Sequence, residues 1–573
     1  MERLKRWDLS VLYESFEDER FAADLMRAER LSSATPDPKE DMFSFFERLR
    51  TAIYLIGDVA SFVNLTLMTD SEHAGAKRFS ERILRLEDWL RREKTRFFRR
   101  IGAGDIISDD AGCELYAEYA EDRRKIVAHL IPEPLESALA DLQRTGSYAW
   151  QALRNELDAV AVVSDSDGGA TTRPLSDVRG LYAHRSQSVR RRAFEDEIRC
   201  CKTYEIPMAA CLNAVKGEAL SLVGLRGFDD VLDQMLFENR MDRETLEAML
   251  NSVRRHLPIF RDYLKGKARR LGFEESLHYR DLTAPTEDVI SRFDRGESRE
   301  MLIEIFERFS PEMGGLFERA FEERWIDSEP RRGKISGALC VDLLSHDCSR
   351  VLVNDAGTLS DISAVAHEMG HAFLNLQLRD VPALFRDAPT PICEMTGIFN
   401  ETVFHEAMLR DCPADSRHVF LEASLSELTQ GIADVYSRFL FEKEVFERRK
   451  ESNLTAADFN EIMSRAQRAA YGDGLREDGA HPYMWMRKPH YYIPDYHYYN
   501  FPYIFGLLFA RGLYCRYSEE PKSFFARYKT FLANSCKGDV LEIAGRIGVD
   551  LRDDAFWDSA FESIAEKVRE YLA

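Results

Sequence analysis

The chain has 573 residues, of which 45% are hydrophobic and 31% are charged, and its formal net charge is −21. This composition indicates a globular protein with a large core and argues against a disordered chain. The acidic balance argues against nucleic acid as the main partner, because phosphate binding needs a basic surface, and it disfavours binding to an anionic membrane.

The N-terminal sequence MERLKRWDLSVLYESFEDER is charged and lacks the apolar stretch of a signal peptide. The apolar stretch 501–510 is too short to span a bilayer. Ten scattered cysteines form no C-x-x-C pair, which predicts reduced thiols and no cysteine metal site. We therefore expect a cytoplasmic protein that binds neither nucleic acid nor membrane.

Most of the chain is predicted to be amphipathic helix. From 38 to about 144, apolar residues recur at helical spacing between charges. The segment 159–178 breaks this pattern, and its β-branched residues followed by turn residues predict a short hairpin with 167–169 at its tip. We place a domain boundary near residue 185, which divides the chain into an N-terminal helical lobe, 1–185, and a second domain, 186–573.

A second break in the helical pattern covers about 329–360. Two strand-like pieces, around 335–341 and 350–354, are separated by polar residues and predict a small sheet. This sheet would lead directly into a helix with the sequence DISAVAHEMGHAFLNLQL. Ser360 is the predicted N-cap of that helix, with Asp361 in its first turn.

The same helix, called the metal helix below, contains H-E-x-x-H at His367, Glu368 and His371. Histidines at i and i+4 lie one above the other on one helix face, so their rings can converge on one zinc ion. Glu368 is rotated about one hundred degrees around the helix from His367, where a general base flanks the ion without binding it. Gly370 indicates a close helix–helix contact. The alternative is a pair of core histidines that bind no metal.

A catalytic zinc ion needs a third protein ligand and keeps one position open. The next segment, DAPTPICEMTGIFNETVF, predicts a second helix with Thr390 as N-cap and Pro391 at the first helical position. Glu394 is the expected third ligand, and Glu401, on the same face at i+7, is expected to orient a ligand. Taken alone, either glutamate is better explained as a surface charge.

Tyrosines and two histidines crowd into a short part of the segment 487–517. Tyrosine hydroxyls and histidine N–H groups can donate hydrogen bonds to an oxyanion or hold a peptide backbone. For most of these tyrosines taken singly, simple aromatic packing is the better explanation. Their density beside histidines favours a site for the group as a whole, which comprises His490, Tyr491, Tyr492, Tyr496, His497, Tyr498, Tyr499 and Tyr503.

Taken together, these features resemble the oligoendopeptidase F branch of the thimet-oligopeptidase-like zinc metallopeptidases, nearly from end to end. The matching stretches are W-D-L-S at 7–10, G-K-x-S-G-A at 333–338, VLVNDAGTLSDISAVAHEMGHAF at 351–373, E-x-x-x-x-x-N-E at 394–401 and Y-N-F-P-Y at 499–503. After the second histidine this chain has Phe373 where many relatives carry another histidine, at a position that is not a ligand.

The resemblance implies a mostly α-helical, elongated zincin-type fold with a deep substrate channel, zinc on the channel floor and a small β-sheet next to the metal helix. The domain 186–573 would then be the catalytic domain. The implied activity is hydrolysis of internal bonds in short unstructured peptides. A zinc exopeptidase of the dipeptidyl carboxypeptidase type and a catalytically silent peptide-binding protein are the alternatives, and the intact Glu368 argues against the second.

The resemblance also implies roles for individual residues. One Zn²⁺ ion would be bound by His367, His371 and Glu394, with Glu368 as general base and Glu401 behind the ligands. The matches for substrate and oxyanion donors are His490, Tyr499 and Tyr503, and Tyr496 and His497 are further substrate-binding candidates because the register of the match can shift. One strand of the small sheet would bind the substrate backbone along its edge, and Gly337 and Ala338 are the candidates there.

Overall fold

The computed structural model describes residues 6–34, 37, 39–108, 112, 114–164, 172–287, 293 and 295–573. Helices make up most of these residues, which confirms the predicted mostly α-helical fold. The chain groups into two compact units of three segments each: the first unit is 1–128, 291–407 and 516–549, and the second unit is 129–290, 408–515 and 550–573. The predicted boundary near residue 185 falls inside a segment of the second unit and stays a prediction.

The helices follow the predicted amphipathic pattern in the N-terminal third and continue to the end of the chain. In the first unit they are Glu19–Ser33, Met42–Thr69, Ala74–Gly102, Ala117–Val127, Arg295–Phe309, Pro311–Glu322, Leu359–Gln377, Pro521–Ala533 and Val540–Gly545. In the second unit they are Glu133–Thr145, Ser147–Val160, Leu175–Gly180, Gln187–Leu225, Val231–Glu238, Arg243–Arg270, Ala414–Thr429, Val435–Arg449, Ala456–Tyr471, Met484–Arg487 and Asp554–Leu572. The helices Thr390–Asp411 and Phe501–Glu519 begin in one unit and end in the other.

A short antiparallel hairpin lies where the sequence predicts one. Strand β1, Val162–Ser164, pairs with strand β2, Thr172–Pro174, and Val163 lies opposite Arg173. The predicted tip, 167–169, lies outside the described residues.

The small sheet of the first unit has the strand order β3-β5-β4. Strand β3, Ile326–Asp327, is parallel to β5, Cys348–Leu352, and β4, Leu339–Leu343, is antiparallel to β5. The sheet is therefore present as predicted, but its first predicted strand begins too early. Residues 335–338 form a loop, and the strand they were expected to open starts only at Leu339.

That loop is held by a buried lysine. The Nζ atom of Lys334 lies 2.6 Å from the carbonyl oxygen of Val353 and 2.9 Å from that of Asp327, and 2.8 Å from a carboxylate oxygen of Asp327. These bonds satisfy an ammonium group that is fully enclosed by protein, as a buried charge requires. The sequence spacing gave no indication of these bonds, which hold the chain just before the loop 335–338.

In the core of the first unit, the metal helix packs on the small sheet. That helix packs against β4 and β5, and its buried face includes Ile362, Met369 and Phe373. Burying side chains of this size stabilises the fold by roughly 1.5–3 kcal/mol each. The histidines lie on a different, partly exposed face of the same helix.

Two helices of the described residues, Met42–Thr69 and Gln187–Leu225, are long and apolar enough to cross a membrane by length and composition. Half of each apolar window is buried inside the protein. Core helices of globular proteins have the same character, so this observation is weak evidence for a membrane span.

Candidate metal centre

The metal helix spans Leu359–Gln377 and starts with a capping box. The Thr358 hydroxyl accepts a hydrogen bond from the backbone N–H of Asp361 at 3.2 Å, and the Asp361 carboxylate accepts one from the N–H of Thr358 at 2.9 Å. The prediction of Ser360 as N-cap is therefore wrong, because Asp361 pairs with the residue three positions before it, as a capping box demands.

The second helix of the site spans Thr390–Asp411 and is called the glutamate helix. Its first turn uses the carbonyl oxygen of Pro389, which accepts hydrogen bonds from the N–H groups of Ile392 and Cys393 at 2.9 and 3.0 Å. Thr390 is thus the first helical residue instead of the N-cap, so the helix begins one residue earlier than predicted. The helix otherwise begins where the sequence places it.

His367, His371 and Glu394 converge at the crossing of the metal helix and the glutamate helix. One potential ligand atom from each lies within 4.8 Å of the others, and all three side chains are partly exposed. The Nε2 atom of His367 lies 3.9 Å from a carboxylate oxygen of Glu394. Two imidazole nitrogens and one carboxylate oxygen are a donor set that fits a catalytic zinc ion. Across the parts of the chain that the structure describes, this is the one such group of His, Cys, Asp or Glu side chains.

Contacts behind the two histidines fix the orientation of their rings. The Nδ1 atom of His367 lies 3.4 Å from a carboxylate oxygen of Glu401. The Nδ1 atom of His371 lies 3.4 Å from the hydroxyl of Thr396, which itself donates a hydrogen bond to the carbonyl of Cys393 at 2.7 Å. Such contacts at Nδ1 leave Nε2 available for a metal ion. Glu401 therefore contacts His367 on the side away from Glu394's partner atom, Nε2; its role in orienting a ligand stays a prediction, and Thr396 is a contact that the sequence did not reveal.

The two helices approach each other at backbone distance. A Cβ atom at Gly370 would lie only 2.3 Å from the carbonyl oxygen of Thr396, so no larger residue fits there. Asn400 donates a hydrogen bond across the same interface to the carbonyl of Ala366 at 3.1 Å. This is the close helix contact that Gly370 indicates in the sequence, and it brings His367, His371 and Glu394 within reach of one ion.

Burial and neighbouring carboxylates change the acidity of Glu368. Its side chain is buried, and burial raises its pKa to about 7; the negative charges of Glu394 and Glu401 add to the increase, and His367 opposes it. A carboxyl group with a pKa near neutrality is suited to accept and return a proton at neutral pH.

In these surroundings the pKa values of the two histidines shift in opposite directions. Burial lowers the pKa of His367, but the carboxylates of Glu401, Glu368 and Glu394 outweigh burial and raise it to about 9. Burial and the charge of His367 lower the pKa of His371 to about 3. His371 is therefore a neutral donor at neutral pH, whereas His367 has to lose a proton when a metal binds.

The predicted substrate-binding residues Gly337 and Ala338 lie immediately before β4, in the same unit as the metal helix. Gly337 adopts a φ of +91°, which favours glycine. Asn354 holds this loop by donating hydrogen bonds to the carbonyl oxygens of Ile335 and Gly337 at 3.0 and 3.2 Å. Strand β4 is at an edge of the described sheet, as addition of a substrate strand requires.

Three predicted donors lie together within the second unit. The ring of His490 stacks on that of Tyr499 with a centroid separation of 4.7 Å. The hydroxyls of Tyr499 and Tyr503 are 2.9 Å apart, and the Tyr496 ring meets Tyr499 edge-on at 5.0 Å. Burial lowers the pKa of His490 to about 4, with nearby cationic side chains adding to the effect, so this imidazole is neutral at neutral pH.

The remaining members of the segment are enclosed by protein. His497 is buried, and its Nδ1 atom lies 3.1 Å from the Nζ atom of Lys216. Tyr491, Tyr492 and Tyr498 are also buried, so the packing explanation applies to them. The predicted substrate contact of His497 stays a prediction, and its neighbour Lys216 is a residue for which the sequence gave no signal.

The comparisons with known proteins all lead to one group of enzymes. The family model described as Peptidase family M3 matches residues 181–563. The oligoendopeptidase F homolog of Lactococcus lactis subsp. lactis (strain IL1403) is 24% identical over 451 residues, which cover 77% of this chain and 74% of that protein. Oligopeptidase PepF of Bacillus subtilis (strain 168) is 21% identical over 472 residues, 81% of this chain and 70% of that protein.

A solved structure gives the corresponding result for the fold. The crystal structure of oligoendopeptidase-F from Enterococcus faecium aligns with a TM-score of 0.66 at 17% identity and covers 96% of each chain. At this level of identity the similarity is one of fold.

Proposed function

The chain belongs to peptidase family M3, and on this premise we propose that it is a zinc-dependent oligoendopeptidase that cleaves internal bonds of short, unstructured peptides. The observation that carries the proposal is the convergence of His367, His371 and Glu394, with the buried carboxyl group of Glu368 on the same helix as the two histidines. The names of the relatives, oligoendopeptidase F and oligopeptidase, support the substrate class.

In this proposal His367, His371 and Glu394 hold the metal. A zinc ion bound there supplies a Lewis acid, which polarises a peptide carbonyl and makes a water molecule more acidic. Glu401 keeps the Nδ1 side of His367 occupied, so that Nε2 remains the ligand atom.

Glu368 performs the proton transfers. Its carboxylate removes a proton from the attacking water and then delivers that proton to the nitrogen of the leaving amine. Burial raises the pKa of this carboxyl group in the metal-free protein, which makes it a stronger base than an exposed glutamate.

The remaining roles concern the substrate. We assign His490, Tyr499 and Tyr503 as donors that stabilise the developing oxyanion, with the partly exposed Tyr496 as a further substrate contact. The edge of β4, preceded by Gly337 and Ala338, is assigned to the peptide backbone. The substrate channel and a cytoplasmic site of action complete the proposal, and the nine cysteines among the described residues are free thiols, which supports a reducing compartment.

The decisive variant is Glu368→Gln, which keeps the shape of the side chain and removes the base. We expect kcat on a short fluorescence-quenched peptide to fall by roughly 10²–10⁴-fold, while zinc content, measured by elemental analysis, is unchanged. Glu318→Gln, at an exposed position on the helix Pro311–Glu322, is the matched control and should retain full activity. Wild-type activity in the zinc-loaded Glu368→Gln protein would rule out the mechanism.

The type of cleavage distinguishes the two enzyme classes. Mass spectrometry of the products from a ten-residue peptide should show internal cuts, whereas stepwise loss from one end would identify an exopeptidase. A peptide series of graded length should show a sharp upper limit if a narrow channel admits the substrate. Efficient cleavage of folded proteins would contradict the channel.

A further inference from the structure

A buried ion pair in the second unit has no part in the mechanism described so far. Lys216, on the helix Gln187–Leu225, and Glu442, on Val435–Arg449, are almost completely enclosed, and the ammonium nitrogen lies 2.6 Å from a carboxylate oxygen. The free energy needed to remove two charges from water often exceeds the energy of their attraction, so a buried pair is weak evidence for a role in stability. The groups that the pair holds are therefore informative.

Both members of the pair bind the tyrosine-rich stretch 487–517, called the tyrosine segment below. The Nζ atom of Lys216 lies 3.1 Å from Nδ1 of His497. The second carboxylate oxygen of Glu442 accepts a hydrogen bond from the side-chain amide of Asn500 at 2.9 Å. Lys216 and Glu442 thus fix the residues on either side of Tyr498 and Tyr499.

The chain between these two anchors is strained. Tyr498 has a φ of +51°, in the left-handed region that bulky L-residues rarely adopt. Its ring is buried and lies 5.6 Å from the ring of Phe439 and 5.5 Å from that of Phe446. A strained residue of this kind costs roughly 1–3 kcal/mol and persists only where its surroundings enforce it.

The strained residue determines the direction of the next one. Tyr499 follows Tyr498 directly, and its ring is partly exposed, stacked on His490, with its hydroxyl at 2.9 Å from that of Tyr503. If Tyr498 relaxed to an ordinary conformation, the peptide would rotate and Tyr499 would lose this arrangement. The anchors at His497 and Asn500 prevent that rotation.

We propose that Lys216 and Glu442 are positioning residues for the reaction, which hold the turn 497–500 in its strained form and so keep Tyr499 in place against His490 and Tyr503. This inference rests on the proposed function of the tyrosine segment. Neither residue touches the reacting atoms, because both are enclosed by protein.

The first test is a double-mutant cycle. Lys216→Met combined with Glu442→Gln removes both charges while keeping an acceptor for Asn500, so no uncompensated charge stays buried. In the zinc-loaded enzyme we expect this variant to lower kcat at least tenfold with little change in KM. In a Tyr499→Phe background the same pair of changes should lower kcat less than twofold, because the group it positions is already absent.

A second buried ion pair of the same unit provides the matched control. Lys267 and Glu422 are 2.7 Å apart and also enclosed. Lys267→Met with Glu422→Gln makes the same chemical change at a site whose described contacts do not include the segment 490–503. We expect a comparable fall in melting temperature and unchanged kcat. An equal loss of kcat in both double variants would show a general effect on folding and would overturn the inference.

A crystal structure of the Lys216→Met, Glu442→Gln protein gives a readout that is independent of activity. The positioning role predicts that Tyr498 leaves the positive-φ region and that the Tyr499 and Tyr503 hydroxyls separate. An unchanged turn would overturn the inference. If the turn changes but Glu368→Gln remains fully active, the proposed function fails while the structural role of the pair is retained. If Tyr499→Phe alone leaves kcat unchanged, the catalytic part of the inference is wrong.

Discussion

Three carboxyl groups, those of Glu368, Glu394 and Glu401, surround the imidazole of His367. Burial alone would keep this ring neutral, yet the negative charges around it raise its pKa to about 9. At neutral pH His367 therefore carries a proton, and this positive charge partly balances the surrounding carboxylates, as a metal cation would. The same charges that attract a cation make its entry dependent on the loss of this proton.

Zinc affinity should consequently rise with pH. Below about pH 9 each bound zinc ion displaces one proton from His367, so the apparent affinity should fall about tenfold for each pH unit towards neutrality. Glu401→Gln removes the largest charge that raises this pKa and should flatten the dependence between pH 7 and 9. Competition with a chelator at several pH values measures both slopes. Equal slopes for the wild type and the variant would contradict this account.

A second histidine makes the fold sensitive to acid. His278 in the second unit is buried, and burial, together with the charge of Arg280, lowers its pKa to about 3. The unfolded chain binds this proton at a higher pH than the folded chain does, so stability is retained above about pH 6.5 and is lost as the pH falls towards 3.

His278→Asn should reduce this sensitivity. Asparagine has no titrating group and can still accept the hydrogen bond that the N–H of Arg280 donates to the ring. We expect the melting temperature of the variant to fall less than that of the wild type between about pH 7.5 and about pH 5. Parallel curves would show that His278 is not responsible.

Among the structural elements, the contact of the metal helix with the glutamate helix determines the geometry of the site. Gly370 permits that contact, because its missing Cβ leaves room for the backbone of Thr396. In an isolated helix, alanine would be favoured over glycine by about 1 kcal/mol. Here the close contact outweighs helix propensity.

Gly370→Ala should therefore destabilise the protein, by about 1–3 kcal/mol, because the added methyl group pushes the helices apart. We also expect zinc binding to weaken, since the ligands are on different helices. Gly315→Ala is the control: it lies on Pro311–Glu322 with nothing within 4 Å of the added atom, and should stabilise the protein by about 0.5–1 kcal/mol. Melting temperature and zinc content measure the two effects.

The convergence of the three proposed ligands could be predicted because their residues are related by helical spacing. His367 and His371 share a helix face by their separation alone, and Glu394 was placed by a recognisable helix start and a family pattern. The features that the sequence did not reveal depend on partners distant in the chain. Lys334 binds the carbonyl of Val353, 19 positions further along the chain, and no spacing rule predicts such a contact.

The same reasoning applies to the tyrosine segment. Its density of tyrosines indicated a site, and His490, Tyr499 and Tyr503 do lie together. The sequence could not show which members are buried or that Lys216 and Glu442, 226 positions apart, meet beneath them. Long-range pairing of single charged residues leaves no local pattern.

At the scale of the whole molecule, both proposed ligand helices contribute their site residues to the first unit. A ligand that binds the folded state stabilises it in proportion to the logarithm of its concentration relative to its dissociation constant. Bound zinc should therefore stabilise the folded chain against heat.

Removal of zinc with a chelator should abolish peptidase activity and lower the melting temperature, and added zinc should restore both. At a free zinc concentration about 100 times the dissociation constant, the stabilisation is about 2.7 kcal/mol. His371→Ala should melt at the same temperature with and without zinc. A zinc-dependent shift that persists in this variant would place the ion elsewhere. Calorimetry measures all of these transitions.

The alternation of segments between the two units also has a consequence for biosynthesis. The first unit lacks a segment until residue 549 has been made, and the second until residue 573. Neither unit can close its core until its last segment has been synthesised, so the usual order, in which one domain folds while the next is still being made, is not available. A nascent chain stalled at residue 290 should remain sensitive to protease. Chaperones that shield exposed apolar surface should increase the folding yield of this chain more than that of a chain whose domains follow each other in sequence.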